Sequence, residues 1–122
     1  FISQNWKKYP ALIQDSTLIT KIIDIEKTIN GRAYYYIPKE KVLPFAGQIK
    51  TGDIILITTK KKGLDTAHVG IAIENEGQIY LLHASVSDKK VSVTTETLPD
   101  YLQRITSHSG IMIGRLINFK SN

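Results

Sequence analysis

The sequence predicts an α+β protein: an antiparallel sheet with few helices. Three observations carry this. Apolar, β-branched runs recur at residues 54–58, 69–73, 78–82 and 111–117, bounded by turn residues, as strands require. Two of these runs are separated by Glu74-Asn75-Glu76-Gly77, a polar turn ending in the residue that tolerates positive φ, so they form a hairpin. Helical periodicity is confined to residues 15–30 and a short stretch near 98–105, which suits an antiparallel sheet flanked by few helices.

With 122 residues, the chain is sized for one domain or part of one. Its 42% hydrophobic and 22% charged residues are ordinary for a globular protein, and no apolar run is long enough to span a bilayer. The first residue is Phe rather than Met and no signal peptide precedes it, which suggests a processed chain or a fragment. Zero cysteines exclude disulfides, zinc–thiolate sites and a thiol nucleophile from these residues. The net charge of +5 suits anionic surfaces in general. A nucleic-acid-binding role would rest on that charge alone, because no recognition helix or stacking motif accompanies it.

Residues 1–14, with Trp6, Tyr9 and Pro10, show no clean period and predict an irregular segment or a short helix stopped before Pro10. Asp15 or Ser16 then caps a helix whose apolar stripe is Leu18, Ile19, Ile22, Ile23 and Ile29, and Asn30-Gly31 ends it. Residues 33–37 before Pro38 are strand-like; the three tyrosines would be half-buried on an edge strand or line a substrate groove. Gly52-Asp53 turns into 54–58, apolar on both faces and hence a central strand. Lys60-Lys61-Lys62-Gly63 is a basic loop that reads most simply as a solvated turn. After the hairpin come a turn at 87–90, a strand at 91–94, a short helix at 98–105 and a last strand at 111–117 opened by His108-Ser109-Gly110.

The hairpin organises the rest. If Glu74 to Gly77 form the loop, or only Asn75-Glu76 do, Ile73 faces Gln78 and His68 faces His83, with Cβ atoms roughly 4.5–5.5 Å apart. His68, Gly70 and Ala72 then share one side, and Val69, Ile71 and Ile73 the other. The bulky side reads as sheet core; the small side leaves room for a helix that the sequence does not obviously supply. The two imidazoles admit three readings. They could ligate a metal, with His108 or Asp65 as a further ligand; they could be structural, bonded to carbonyls at a sheet end; or one is a general base that the other orients.

Gly52-Asp53-Ile54-Ile55, His68-Val69-Gly70-Ile71 and His83-Ala84-Ser85 together resemble the papain-like cysteine peptidases of bacterial cell walls, the NlpC type. Tyr35-Tyr36-Ile37-Pro38, Gly63-Leu64-Asp65 and the stretch from Leu98 to Leu102 bring the chain nearer to the N-acetylmuramoyl-L-alanine amidase-like branch. The resemblance implies a papain-like fold, a partial barrel, in which His68 is the catalytic base and His83 orients it. Tyr35, Tyr36, Asp65 and Ser85 become candidate substrate contacts. The substrate would be peptidoglycan or its stem peptides, the location the cell envelope, and no cofactor, metal, nucleic acid or membrane span would be needed.

One departure matters. Such enzymes attack with a cysteine at the start of a helix upstream of the sheet, and this chain has none. Ser16 and Thr17 stand at a helix start but read as caps. Residues 1–122 therefore read as a single domain that is the C-terminal part of a larger catalytic domain, lacking the nucleophile helix; a partner would be the upstream segment of its own protein. The other reading is a binding module that keeps the fold and has lost the cysteine.

Overall fold

A computed structural model describes residues 1–117, which fall into two compact units, Phe1–Tyr35 and a second that begins at Tyr36. The first unit is helical. A 3₁₀ turn, Ser3–Lys8, stops ahead of Pro10, which opens α1, Pro10–Gln14, as proline at a first helical position can. Helix α2, Thr17–Asn30, is capped by Asp15, whose Oδ1 accepts from the Thr17 amide (3.0 Å) and hydroxyl (2.6 Å), while Ser16 makes no capping bond. Leu12 is the only buried residue between positions 1 and 35.

The second unit holds a six-stranded antiparallel sheet of order β1-β6-β2-β3-β4-β5, made of β1 Ile37–Pro38, β2 Ile54–Thr59, β3 Thr66–Asn75, β4 Gln78–Ser85, β5 Lys90–Val93 and β6 His108–Gly114. Its end strands, β1 and β5, are two and four residues long and do not meet, so the sheet is open rather than a partial barrel. Strand β2 lies between β6 and β3, the central place its apolar faces predict. Two short helices complete the unit: α3, Lys39–Phe45, which the sequence did not suggest, and α4, Leu98–Arg104.

Strand β1 is shorter than expected. Only Ile37 and Pro38 pair with β6, and Tyr34, Tyr35 and Tyr36 stand exposed, Tyr35 by 86%, rather than half-buried. The fixed φ and missing N–H of Pro38 stop β1 from running on past it, and the chain departs from the ladder before Ile37 although β6 continues to Gly114.

The hairpin corrects two expectations. Its turn is Glu76-Gly77, both at positive φ (51° and 78°), the two-residue form whose twist suits antiparallel strands. Asn75 therefore faces Gln78 and Ile71 faces Leu82, two places from the expected register. A slip of two keeps every side chain on its face, so His68 and His83 still share a side but meet diagonally.

The second correction concerns which face is core. Gly70 and Ala72 lie on the buried face, and Val69 and Ile71 are 52% and 42% exposed. Gly70 is small because it must be: a Cβ there would sit 2.5 Å from the Leu81 side chain and 2.8 Å from the Leu82 carbonyl oxygen. The core joins Ile55, Ile57, Ala72, Ile79, Leu81 and Ile111 from the sheet to Val42 of α3 and to Leu98, Tyr101 and Leu102 of α4. Spacing of i, i+3 and i+4 sets the three α4 residues on one stripe. The small-residue face is thus covered from within the chain, and no gap for a missing helix exists over Gly70 and Ala72.

An ion pair between buried Asp53 and exposed Arg115 fixes the start of β2. Arg115 Nε and Nη2 each donate to an Asp53 carboxylate oxygen at 2.6 Å, and the Lys50 amide adds a third bond at 2.8 Å. The Asp53 backbone is tied to β3, its carbonyl accepting from the Ala72 amide at 2.8 Å. The Arg115 guanidinium holds the Asp53 carboxyl below the usual carboxylate value.

Candidate active site

His68 stands near the start of β3 and His83 near the end of β4, at one end of the buried face. His68 Nε2 lies 2.7 Å from His83 Nδ1, with the rings nearly perpendicular at 88° and centroids 5.0 Å apart. Two irregularities in the ladders adjoin this end of the sheet. Ile57 faces His68 but Thr58 faces Thr66, which leaves Ala67 as an extra residue in β3; Thr58 faces Gly110 but Thr59 faces His108, which leaves Ser109 extra in β6. Bulges of this kind bend a strand and re-aim its side chains.

Tyr101 of α4 completes the cluster. Its ring centroid lies 6.5 Å from that of His68, 5.6 Å from His83 and 5.8 Å from His108. Thr97 caps α4, its Oγ1 accepting from the Asp100 amide, and Leu98 and Leu102 are fully buried, so the helix has little freedom. Glu96 accepts from Arg104 Nη2 (2.6 Å) and Nε (2.9 Å), setting the guanidinium 5.2 Å from the Tyr101 ring centroid. His108 is 5% exposed, and its Nδ1 is buried without a hydrogen-bond partner among the described residues.

These groups line a cavity of about 490 Å³ whose wall also includes Lys61, Ser85, Ser107 and Arg104. Burial holds the His68 imidazole below its ordinary value of 6.5, and a charge on His83 adds to the effect. Burial lowers His108 as well, helped by the positive charges of His68, Lys39, Arg104 and Lys61. Burial thus favours the neutral form of both rings. Among the described residues no three His, Cys, Asp or Glu side chains come together as a metal site would require.

The profile of the AmiA-like family, described as N-acetylmuramoyl-L-alanine amidase-like, matches residues 1–111. The chain belongs to this amidase-like family. Solved structures agree in fold. An N-acetylmuramoyl-L-alanine amidase from Bacteroides uniformis ATCC 8492 is 38% identical with a TM-score of 0.77, over 92% of this chain and 48% of its own. A Bacteroides fragilis protein provisionally named a xylanase is 37% identical with a TM-score of 0.77, over 93% of this chain and 50% of its own. A Legionella pneumophila protein, 24% identical with a TM-score of 0.53 over 81% of this chain and 40% of its own, shares the fold. Among curated proteins no match to the sequence was found. The chain spans about half the length of the two Bacteroides proteins.

In this amidase-like chain the residues singled out from sequence are only partly brought together. His68, His83 and Ser85 line the cavity. Ser85 is buried, its Oγ lying 3.0 Å from that of Ser87 and accepting from the Asp88 amide at 3.2 Å. Asp65 is exposed and not part of the cavity wall; its backbone carbonyl accepts from the Thr59 amide. Tyr36 is exposed at the start of the second unit, outside that wall, and Tyr35 belongs to the first unit. Tyr101 falls within the Leu98–Leu102 stretch, but a tyrosine on a short helix carries no local sign of which strand end it will meet.

Proposed function

We propose that this chain supplies the general base, His68, and its orienting partner, His83, to a cysteine hydrolase of the papain-like NlpC type that cleaves an amide of peptidoglycan. The observation that carries the proposal is the 2.7 Å contact between His68 Nε2 and His83 Nδ1. If His68 Nε2–H donates to the His83 Nδ1 lone pair, His68 is held in the tautomer whose Nδ1 is unprotonated and free to act as base. The opposite tautomer would leave His68 no lone pair to use.

The nucleophile is a cysteine outside these 122 residues, in the part of the protein corresponding to what the Bacteroides relatives carry beyond the shared half. His68 Nδ1 takes the thiol proton and the thiolate attacks the amide carbon. The imidazolium then returns the proton to the departing amine, leaving a thioester. Water, deprotonated by the same Nδ1, hydrolyses the thioester and regenerates the thiol. The bond between muramic acid and L-alanine, which the family's description specifies, is the amide we favour, with the cell envelope as the place of action and Ser85 as a substrate contact. Glycoside cleavage, suggested by the name of the Bacteroides fragilis relative, fits less well. That chemistry needs two carboxyl groups flanking the bond, and of the two acids in the cavity wall, Glu96 is committed to Arg104. A binding module without catalysis remains the reading from another class.

The test is hydrolysis of purified peptidoglycan by the complete gene product, with released fragments separated by chromatography. His68→Ala should lower turnover by roughly 10²–10⁴-fold while the fold persists. His83→Asn, which can still accept the bond, should retain part of the activity, and His83→Ala should lose more. Full turnover in His68→Ala removes the base assignment. Equal losses in both alanine variants together with inhibition by a chelator would instead indicate a metal enzyme.

A further inference from the structure

Tyr101 lies against both imidazoles, yet the mechanism above gives it no task. It is 9% exposed, and its helix is fixed by the fully buried Leu98 and Leu102. The ring meets His83 edge-to-face at 85° and lies nearly parallel to His68 at 29°. An imidazole at a strand end can rotate about χ2, a broad torsion, and rotation of His83 would carry its Nδ1 away from His68 Nε2. The contact with His68 fixes one edge of the His83 ring; the Tyr101 ring, its centroid 5.6 Å away, takes up much of the room in which the rest of it would turn. Arg104, clamped by Glu96, holds the phenol ring in turn.

We propose that Tyr101 is a positioning residue for the histidine pair: its aromatic ring, not its hydroxyl, holds His83 in the orientation that keeps His68 in the base-competent tautomer. The inference rests on the reading of His68 as base for its consequence in catalysis, but the orientation itself can be measured without any catalysis. The hydroxyl is dispensable in this role, since it makes no hydrogen bond to any described residue and the contacts are made by the ring.

The experiment compares Tyr101→Phe with Tyr101→Leu. In the isolated chain, ¹⁵N spectra of the histidine rings report which nitrogen carries the proton. Wild type and Tyr101→Phe should show one tautomer for His68, protonated at Nε2, whereas Tyr101→Leu, which keeps apolar volume but loses the ring, should show a mixture. In the complete gene product, Tyr101→Leu should lower kcat roughly 10-fold, within the ~10²-fold range for small misplacements, with little change in KM, and Tyr101→Phe should match wild type. Thermal melting checks that each variant is folded; if Tyr101→Leu is not, Tyr101→Met carries the same readout. An unchanged single tautomer in the folded Leu or Met variant overturns the proposal. So does a Tyr101→Phe variant as impaired as Tyr101→Leu, which would move the role to the hydroxyl. Absence of hydrolysis by the wild-type gene product would defeat the amidase reading alone and leave the tautomer result standing.

Discussion

At the scale of single residues, two of the site's imidazoles, His68 and His108, are held toward their neutral forms by burial, and this has a measurable consequence. His68 and His108 titrate below 6.5 in the folded chain because desolvation penalises their charged forms. The unfolded chain binds protons on these rings first. The stability they allow is therefore complete above about pH 6.5 and is lost as the pH falls through their folded values. The melting temperature of the chain is expected to drop between pH 7.5 and pH 5, and ring-proton NMR titrations should place both midpoints below 6.5. His108→Asn should flatten part of that slope. A melting temperature constant over the interval, or midpoints above 6.5, would mean that the rings are solvated or paired with an acid. His108 is the sharper case, because its buried Nδ1 has no partner among the described residues to compensate a charge.

Elements show what could be read in advance. The hairpin was legible from its β-branched runs and its Gly77 turn, and the shared face of His68 and His83 survived a register error because strand periodicity is two. The turn's position was not legible: Glu76 adopts a positive φ (51°), which its side chain does not advertise. Nor was the buried face. Val69 and Ile71 outweigh Gly70 and Ala72 in bulk, yet close packing against Leu81 demands the small residues, and that demand comes from the far strand. The Gly52-Asp53 motif gains a structural reason, since Asp53 is buried under Arg115, itself partly exposed. Removing the arginine strands a buried carboxylate, whereas removing the carboxylate leaves an arginine that water can solvate. Arg115→Leu should therefore cost stability in urea unfolding at pH 7, and Asp53→Asn clearly less. Equal costs would show that the pair is solvated. The contribution of Asp53 is present above its ordinary value near 3.8 and is lost as the pH falls through the lower folded value, so Arg115→Leu should also weaken the acid sensitivity there.

For the whole molecule, the question is what these residues can do by themselves. Across the outer face of the sheet, Ile54, Ile71, Leu82 and Val93 are paired in one row over four strands, and Leu56 and Val69 lie beside it. Ile54, Val69, Ile71 and Val93 are exposed. A row of that kind should bind a hydrophobic dye, and Ile71→Lys with Val93→Lys should abolish the signal while preserving the fold. Catalysis is a separate matter. Among the described residues the only side-chain hydrogen bond of His68 is to His83. Hydroxyl groups do share the cavity, but Ser85, nearest in sequence to His83 among them, is occupied by Ser87 and the Asp88 amide. A neutral hydroxyl without a base bonded to it is a poor nucleophile, and the chain has no cysteine. Purified residues 1–122 are therefore expected to release no fragments from peptidoglycan, even though the histidine pair is assembled. Long incubation followed by chromatography of the soluble fraction measures this. Steady release that His68→Ala abolishes would place the nucleophile among the hydroxyls of this cavity, and the cysteine mechanism would have to be given up.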